Sequence, residues 1–120
     1  MPTNFAKLNC LESVEFFADS DFTFEYVMME DDGVNPFDLT SATVTFLLFP
    51  YGQPENVVVQ KEATVTGAAD GECNVAIEPS DTTGFDGRYI QQIAVEKAGK
   101  RYRPAQGDVY IAPSATISGG

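Results

Sequence analysis

From Phe22 to Ala112 apolar side chains recur at every second position rather than at every third or fourth, and this period most restricts what the chain can fold into. Alternate side chains of an extended strand point to opposite faces, so a period of two means strands with one face against a core. Residues 22 to 29 set Phe22, Phe24, Tyr26 and Met28 against Thr23, Glu25 and Val27. Residues 42 to 49 set Ala42, Val44, Phe46 and Leu48 inward, with Thr43, Thr45, Leu47 and Phe49 outward. The outward Leu47 and Phe49 lie either under a loop or against a partner. Further strands are predicted over residues 56 to 66, 73 to 78, 88 to 97, 100 to 103 and 108 to 112. Between them stand turn signals: Glu30-Asp31-Asp32-Gly33, Pro50-Tyr51-Gly52-Gln53-Pro54, Gly67 to Gly71, Ala98-Gly99 and Pro104 to Gly107. Pro79 to Gly84 reads as one helical turn or a wide loop crossing between sheets. About seven short antiparallel strands at this turn spacing predict an all-β domain in which two sheets cover each other's apolar faces, a β-sandwich.

Outside the sandwich, assigned to residues 21 to 112, are an N-terminal arm over 1 to 20 and a C-terminal tail over 113 to 120. The arm carries Phe5, Leu8 and Leu11 at a spacing that suits a helical turn or an extended docking segment. With Leu47 and Phe49, these make five candidate contact residues.

Composition narrows the chemistry. The 120 residues form one domain, and 43% hydrophobic content with 9 Phe and 5 Tyr supplies a core. Histidine and tryptophan are absent. That removes the commonest general base, the commonest metal ligand and the usual activating partner of a serine or cysteine nucleophile. The net charge is -11, which disfavours nucleic acid and anionic membrane surfaces as partners. It is uneven: residues 1 to 60 carry ten acids against Lys7 alone, whereas residues 61 to 120 carry eight acids and six bases, several of them between Lys97 and Arg103. Such asymmetry suits either head-to-tail docking or two solvated faces.

Cys10 and Cys73 form no metal or redox motif, and no export signal opens the chain, so two reduced thiols are expected rather than a disulfide. No apolar run is long enough for a membrane-spanning helix. Asp19/Asp21 and Asp31/Asp32 lack the apolar surroundings of a glycosidase acid. Glu30 to Gly33 lacks the ligand order of a calcium loop. Tyr51, Tyr102 and Tyr110 are the aromatics available to a sugar platform. No glycine-rich loop leads into a helix to bind phosphate. No catalytic residue, metal ligand or cofactor site is expected.

The order of motifs adds a resemblance. Phe22-Thr-Phe-Glu-Tyr, Asp38-Leu-Thr-Ser-Ala-Thr-Val, Pro79-Ser-Asp-Thr and Gly87-Arg-Tyr, spread over about residues 20 to 112, resemble the N-terminal immunoglobulin-like module of tailed-phage upper baseplate proteins. In that likeness Asp38 and Thr40 cap a loop entering a strand, and Tyr89 plugs the core. The resemblance implies an immunoglobulin-like sandwich and a non-enzymatic virion structural protein, assembled in the host cytoplasm. It would dock with other phage structural proteins in a tail, baseplate or neck, as a homo-oligomer or symmetric multi-copy assembly. Modules of this kind commonly precede coiled or receptor-binding parts, whereas this sequence stops at Gly120, which favours a small free-standing virion protein. The alternatives are a capsid decoration protein and, from another class, a glycan-binding or adhesion module.

Overall fold

The computed structural model describes residues 9–30, 35–113 and 115. Among the described residues nine strands run in chain order: β1 Asn9–Cys10, β2 Val14–Phe17, β3 Phe22–Val27, β4 Thr43–Pro50, β5 Val59–Glu62, β6 Thr64–Gly67, β7 Glu72–Ile77, β8 Gly87–Lys97 and β9 Lys100–Ala112. They form two sheets. The larger has six strands in the order β1-β9-β8-β4-β5, with β2 also paired to β9; the smaller has the order β3-β7-β6.

The period-two segments bury the faces assigned to them. Phe24, Tyr26 and Met28 on one side meet Val44, Phe46, Leu48, Ile93 and Val95 on the other, in a core completed by Val75, Ile77, Val109 and Ile111. Phe46 is wholly buried, and its ring lies 5.0 Å from that of Phe24 across the sheets. Truncating such a side chain costs about 3–5 kcal/mol, because the cavity left behind collapses only in part. Asp38 caps its loop as expected: its Oδ1 accepts from Thr40 N–H at 2.9 Å and from the Thr40 hydroxyl at 2.6 Å. Tyr89 is half-buried, stacked on Phe85 at 5.3 Å and packed against the core.

Four features correct the sequence reading. The stretch assigned to an arm contributes β1 and β2, which pair with β9 in parallel, so the large sheet is mixed rather than antiparallel. Phe16 of β2 stacks on Phe22 at 4.7 Å, which fastens this stretch to the small sheet as well. The single strand expected over 56 to 66 divides at Ala63, whose N–H donates to Val44 O; β5 stays in the large sheet and β6 joins the small one. Residues 104 to 107 are not a turn, because β9 continues through them. Its register with β8 slips by one residue between Ala105 and Tyr102, and this bulge accommodates Pro104, which has no N–H to donate. Finally, Phe49 is buried by its own chain although its phase on β4 is outward.

Between β7 and β8 the chain crosses sheets through a 3-10 turn, Pro79–Asp81. Lys61 of β5 ties this crossing down: its ammonium donates to Asp81 Oδ2 at 2.6 Å and to Ala76 O of β7 at 3.0 Å.

Candidate functional site

The outer face of the six-stranded sheet is built from the positions that alternate away from the core. The strand register arranges them in rows across β4, β8 and β9: Thr43, Glu96 and Arg101; Leu47, Gln92 and Gln106; Phe49, Ile90 and Asp108. In the next row Arg88 pairs with Tyr110, and Tyr110 with Glu15 of β2. Tyr51, one residue past β4, extends this row, its N–H donating to Arg88 O at 3.1 Å.

This end of the face stands out by exposure. Tyr51 is 56% exposed, Tyr110 43%, and Phe17, one alternation beyond Glu15 on β2, 60%. Arg88 lies between the two tyrosines, its guanidinium carbon 3.7 Å from the centre of the Tyr51 ring. Its Nη2 is 3.0 Å from Asp108 Oδ1. The hydrogen bond to Asp108, with the charge of that carboxylate, makes the guanidinium still harder to deprotonate. Stacking and ion pairing together fix the orientation of a long side chain that is otherwise costly to order. A strip of Phe17, Tyr110, Arg88 and Tyr51 therefore crosses the end of the sheet as a preformed aromatic and cationic surface.

The opposite end of the same face is polar. Leu47 and Ala94 line a shallow depression of about 290 Å³ rimmed by Gln60, Glu96, Arg101 and Arg103. Its cations are engaged within the chain: Arg101 pairs with Glu96 at 2.7 Å and Arg103 donates to Gln92. Lys97 donates to Asp38 O at 2.6 Å. Three of the four bases of this stretch, Lys97, Arg101 and Arg103, thus have partners on the protein's own surface.

Of the five contact residues expected from sequence, Phe5 and Leu8 lie outside the described residues. Leu11 is half-buried against the core, and its N–H donates to Gln106 O at 2.8 Å. It crosses β9 so closely that a Cβ on Gly107 would stand 2.8 Å from Leu11 Cβ. Leu47 is half-buried in the polar depression and Phe49 is buried. None of the three described belongs to the exposed strip. Tyr51 and Tyr110, considered above as sugar-platform aromatics, do belong to it. Tyr102 does not, since it packs against the core with its ring 6.0 Å from Phe37. Phe17 is not among the contact residues expected from sequence, because that reading begins the sandwich at residue 21; the alternation of Val14 and Phe16, which sets Phe17 in the outward phase, is the signal that finds it.

Among the described residues no group of three or more His, Cys, Asp or Glu side chains could hold a metal ion. Cys73 is a free, buried thiol, and burial pushes it up to about 11. No helix of the described residues is long and apolar enough to cross a membrane.

No protein-family model and no curated protein matches this sequence. Solved structures do resemble it. CopC from Methylosinus trichosporium OB3b superposes with a TM-score of 0.51 at 12% identity, over 88% of each chain. Tim-1 superposes with a TM-score of 0.39 at 11% identity, over 88% of this chain and 95% of that one. At such identities a likeness speaks for the backbone alone. Together with the two-sheet architecture, it establishes that the chain folds as an immunoglobulin-like β-sandwich.

Proposed function

We propose that the protein is a non-enzymatic structural component of a tailed-phage particle, held in a tail, baseplate or neck assembly by the outer face of its six-stranded sheet. The observation that carries the docking part is the strip of Phe17, Tyr110, Arg88 and Tyr51, three exposed aromatic side chains and an oriented arginine on one surface. Tyrosine and arginine dominate binding hot spots because they bury much area at little entropic cost. The phage part is supported by the resemblance of the segments at 38 to 44, 79 to 82 and 87 to 89. Many copies on one particle make weak individual contacts sufficient.

The test is incorporation into particles assembled with a Tyr51→Ala/Tyr110→Ala variant, quantified by mass spectrometry of purified virions. Hot-spot losses of about 2 kcal/mol each predict at least a tenfold drop in occupancy, with circular dichroism unchanged. Full incorporation would remove this face from the docking role, and absence of the wild-type protein from particles would remove the virion role. The same exposed tyrosines favour a second reading, a glycan-binding module, in which the variant loses binding on a glycan array instead. Cosedimentation of a monomer with capsids at fixed stoichiometry would favour capsid decoration.

A further inference from the structure

Among the described residues two polar side chains are buried, Thr82 and Gln91. Thr82 is satisfied, its hydroxyl accepting from Asp19 N–H at 2.9 Å. Gln91 is engaged only in part. Its Oε1 accepts from the Tyr26 hydroxyl, whereas its Nε2 meets no acceptor among the described residues. No side-chain nitrogen or oxygen of those residues is both sealed from the surface and without a partner, so this amide is reached from outside. The way in is a groove of about 310 Å³ that Gln91 and Tyr26 line together.

One wall of the groove is β3, with Phe22 and Phe24; the other is Leu11, Glu12 and Val14, which lead into β2. Local packing holds both walls in place. Phe16 of β2 stacks on Phe22, and Phe22 meets Phe24 edge to face at 4.9 Å. Gly107 stands opposite Gln91 on β9, and the lack of a Cβ there lets Leu11 pass close beside it. Glu12 and Glu25 are exposed at the rim, and no lysine or arginine lines the groove. A desolvated amide donor is costly unless an acceptor meets it, and carboxylates over an apolar cleft attract a cation. Donor at the floor, apolar walls and negative rim therefore fit a ligand with an acceptor oxygen, an apolar body and a positive charge, in that order.

We propose that this groove binds a small organic cation with an apolar body and a carbonyl oxygen. The oxygen accepts from Gln91 Nε2, the body lies between Phe22, Phe24, Leu11 and Val14, and the charge sits beside Glu12 and Glu25. The volume is at the lower end of small-molecule pockets, about 300 Å³, which suits a single aromatic amine. The groove opens between the sheets, whereas the docking strip lies on the outer face of the large sheet, so neither reading depends on the other.

Phenylalaninamide, which carries a ring, a carbonyl and an ammonium, is the probe, added to the isotope-labelled full chain at about pH 6 to keep its amine protonated. The Gln91 side-chain amide signals are expected to shift saturably in NMR spectra, with a dissociation constant of about 1–10 mM for so small a ligand. Benzylammonium lacks the carbonyl and N-acetylphenylalaninate carries a carboxylate in place of the ammonium; each is expected to bind about tenfold more weakly. Glu12→Gln/Glu25→Gln, at exposed positions, is expected to weaken phenylalaninamide about fivefold or more, and Tyr26→Phe/Gln91→Leu to abolish its binding. Should the core variant unfold, the three probes on the wild-type chain decide. Absence of a saturable shift at about 50 mM probe overturns the inference. Equal affinity for all three probes, or undiminished binding by either double variant, overturns it as well.

Discussion

Gln91 shows how a single residue departs from the pattern around it. It lies in the inward phase of β8 between Tyr89 and Ile93, 2% exposed, where an aliphatic side chain would be expected. The Tyr26 hydroxyl answers it from the other sheet, and burial pushes the Tyr26 phenol well above its ordinary range, with the nearby Cys73 adding to the shift. A neutral pair buried together costs little, whereas one partner buried alone loses its water without replacement. Tyr26→Phe is therefore expected to lower stability by about 1–3 kcal/mol, and Tyr26→Phe/Gln91→Leu by clearly less than the sum of the two single changes. Urea denaturation of the four proteins closes the cycle, and strict additivity would show that the pair is not coupled. Cys73 yields a second prediction at this scale. Raised to about 11 and shielded by the small sheet, its thiol is expected to resist iodoacetamide at neutral pH and to react fully in denaturant, as read by mass spectrometry. Rapid labelling of the native protein would contradict its burial. The inward phase of Gln91 was legible in the sequence; its partner on another strand was not.

Among the elements, the β8–β9 hairpin turns on Ala98 and Gly99 at φ of 56° and 77°. Positive φ at both central positions defines the two-residue turn whose twist matches that of paired strands, and it suits glycine and asparagine far better than alanine. Alanine in this region costs roughly 1–2 kcal/mol, so Ala98→Asn is expected to stabilise the protein by about 0.5–1 kcal/mol, seen as a higher melting temperature. An unchanged or lower value would place the strain elsewhere. The dipeptide was readable as a turn from sequence because Gly99 follows a strict alternation. The continuation of β9 through Pro104 was not, because proline and glycine signal both a turn and a bulge. Only the slip between Ala105 and Tyr102 against β8 separates the two.

At the scale of the molecule, the junction of the sheets depends on an ion pair. Partial burial opposes ionisation of Asp81, but the hydrogen bonds from Lys61 and from Glu78 N–H, together with the Lys61 charge, outweigh it and hold the carboxyl below its usual range. Asp38 is lowered too, first by its hydrogen bond from the Thr40 hydroxyl. A carboxylate depressed in the folded state binds fewer protons folded than unfolded. The stability it contributes is present above the unfolded value of about 3.9 and disappears as pH falls through the folded one. Urea midpoints are therefore expected to decline from about pH 5 downward, and Asp81→Asn to start lower at neutral pH and decline less steeply. A variant that follows the wild-type slope would show that this pair does not link the sheets energetically.

The class of fold and most of its inward faces are legible in the amino-acid pattern, because the period of two is a local property of an extended chain and every strand carries it independently. So are the chemistries for which the chain lacks residues. The pairing of Asn9–Cys10 and Val14–Phe17 with β9, the change of sheets at Ala63 and the covering of Phe49 arise only in the folded protein. It alone brought Tyr110, Arg88 and Tyr51 into one row, with Phe17 one alternation beyond it on β2. Each of these depends on which strands become neighbours and in what register. Hydrogen bonding between strands is indifferent to side-chain identity, so only the joint packing of the two sheets selects among the pairings that a period of two allows.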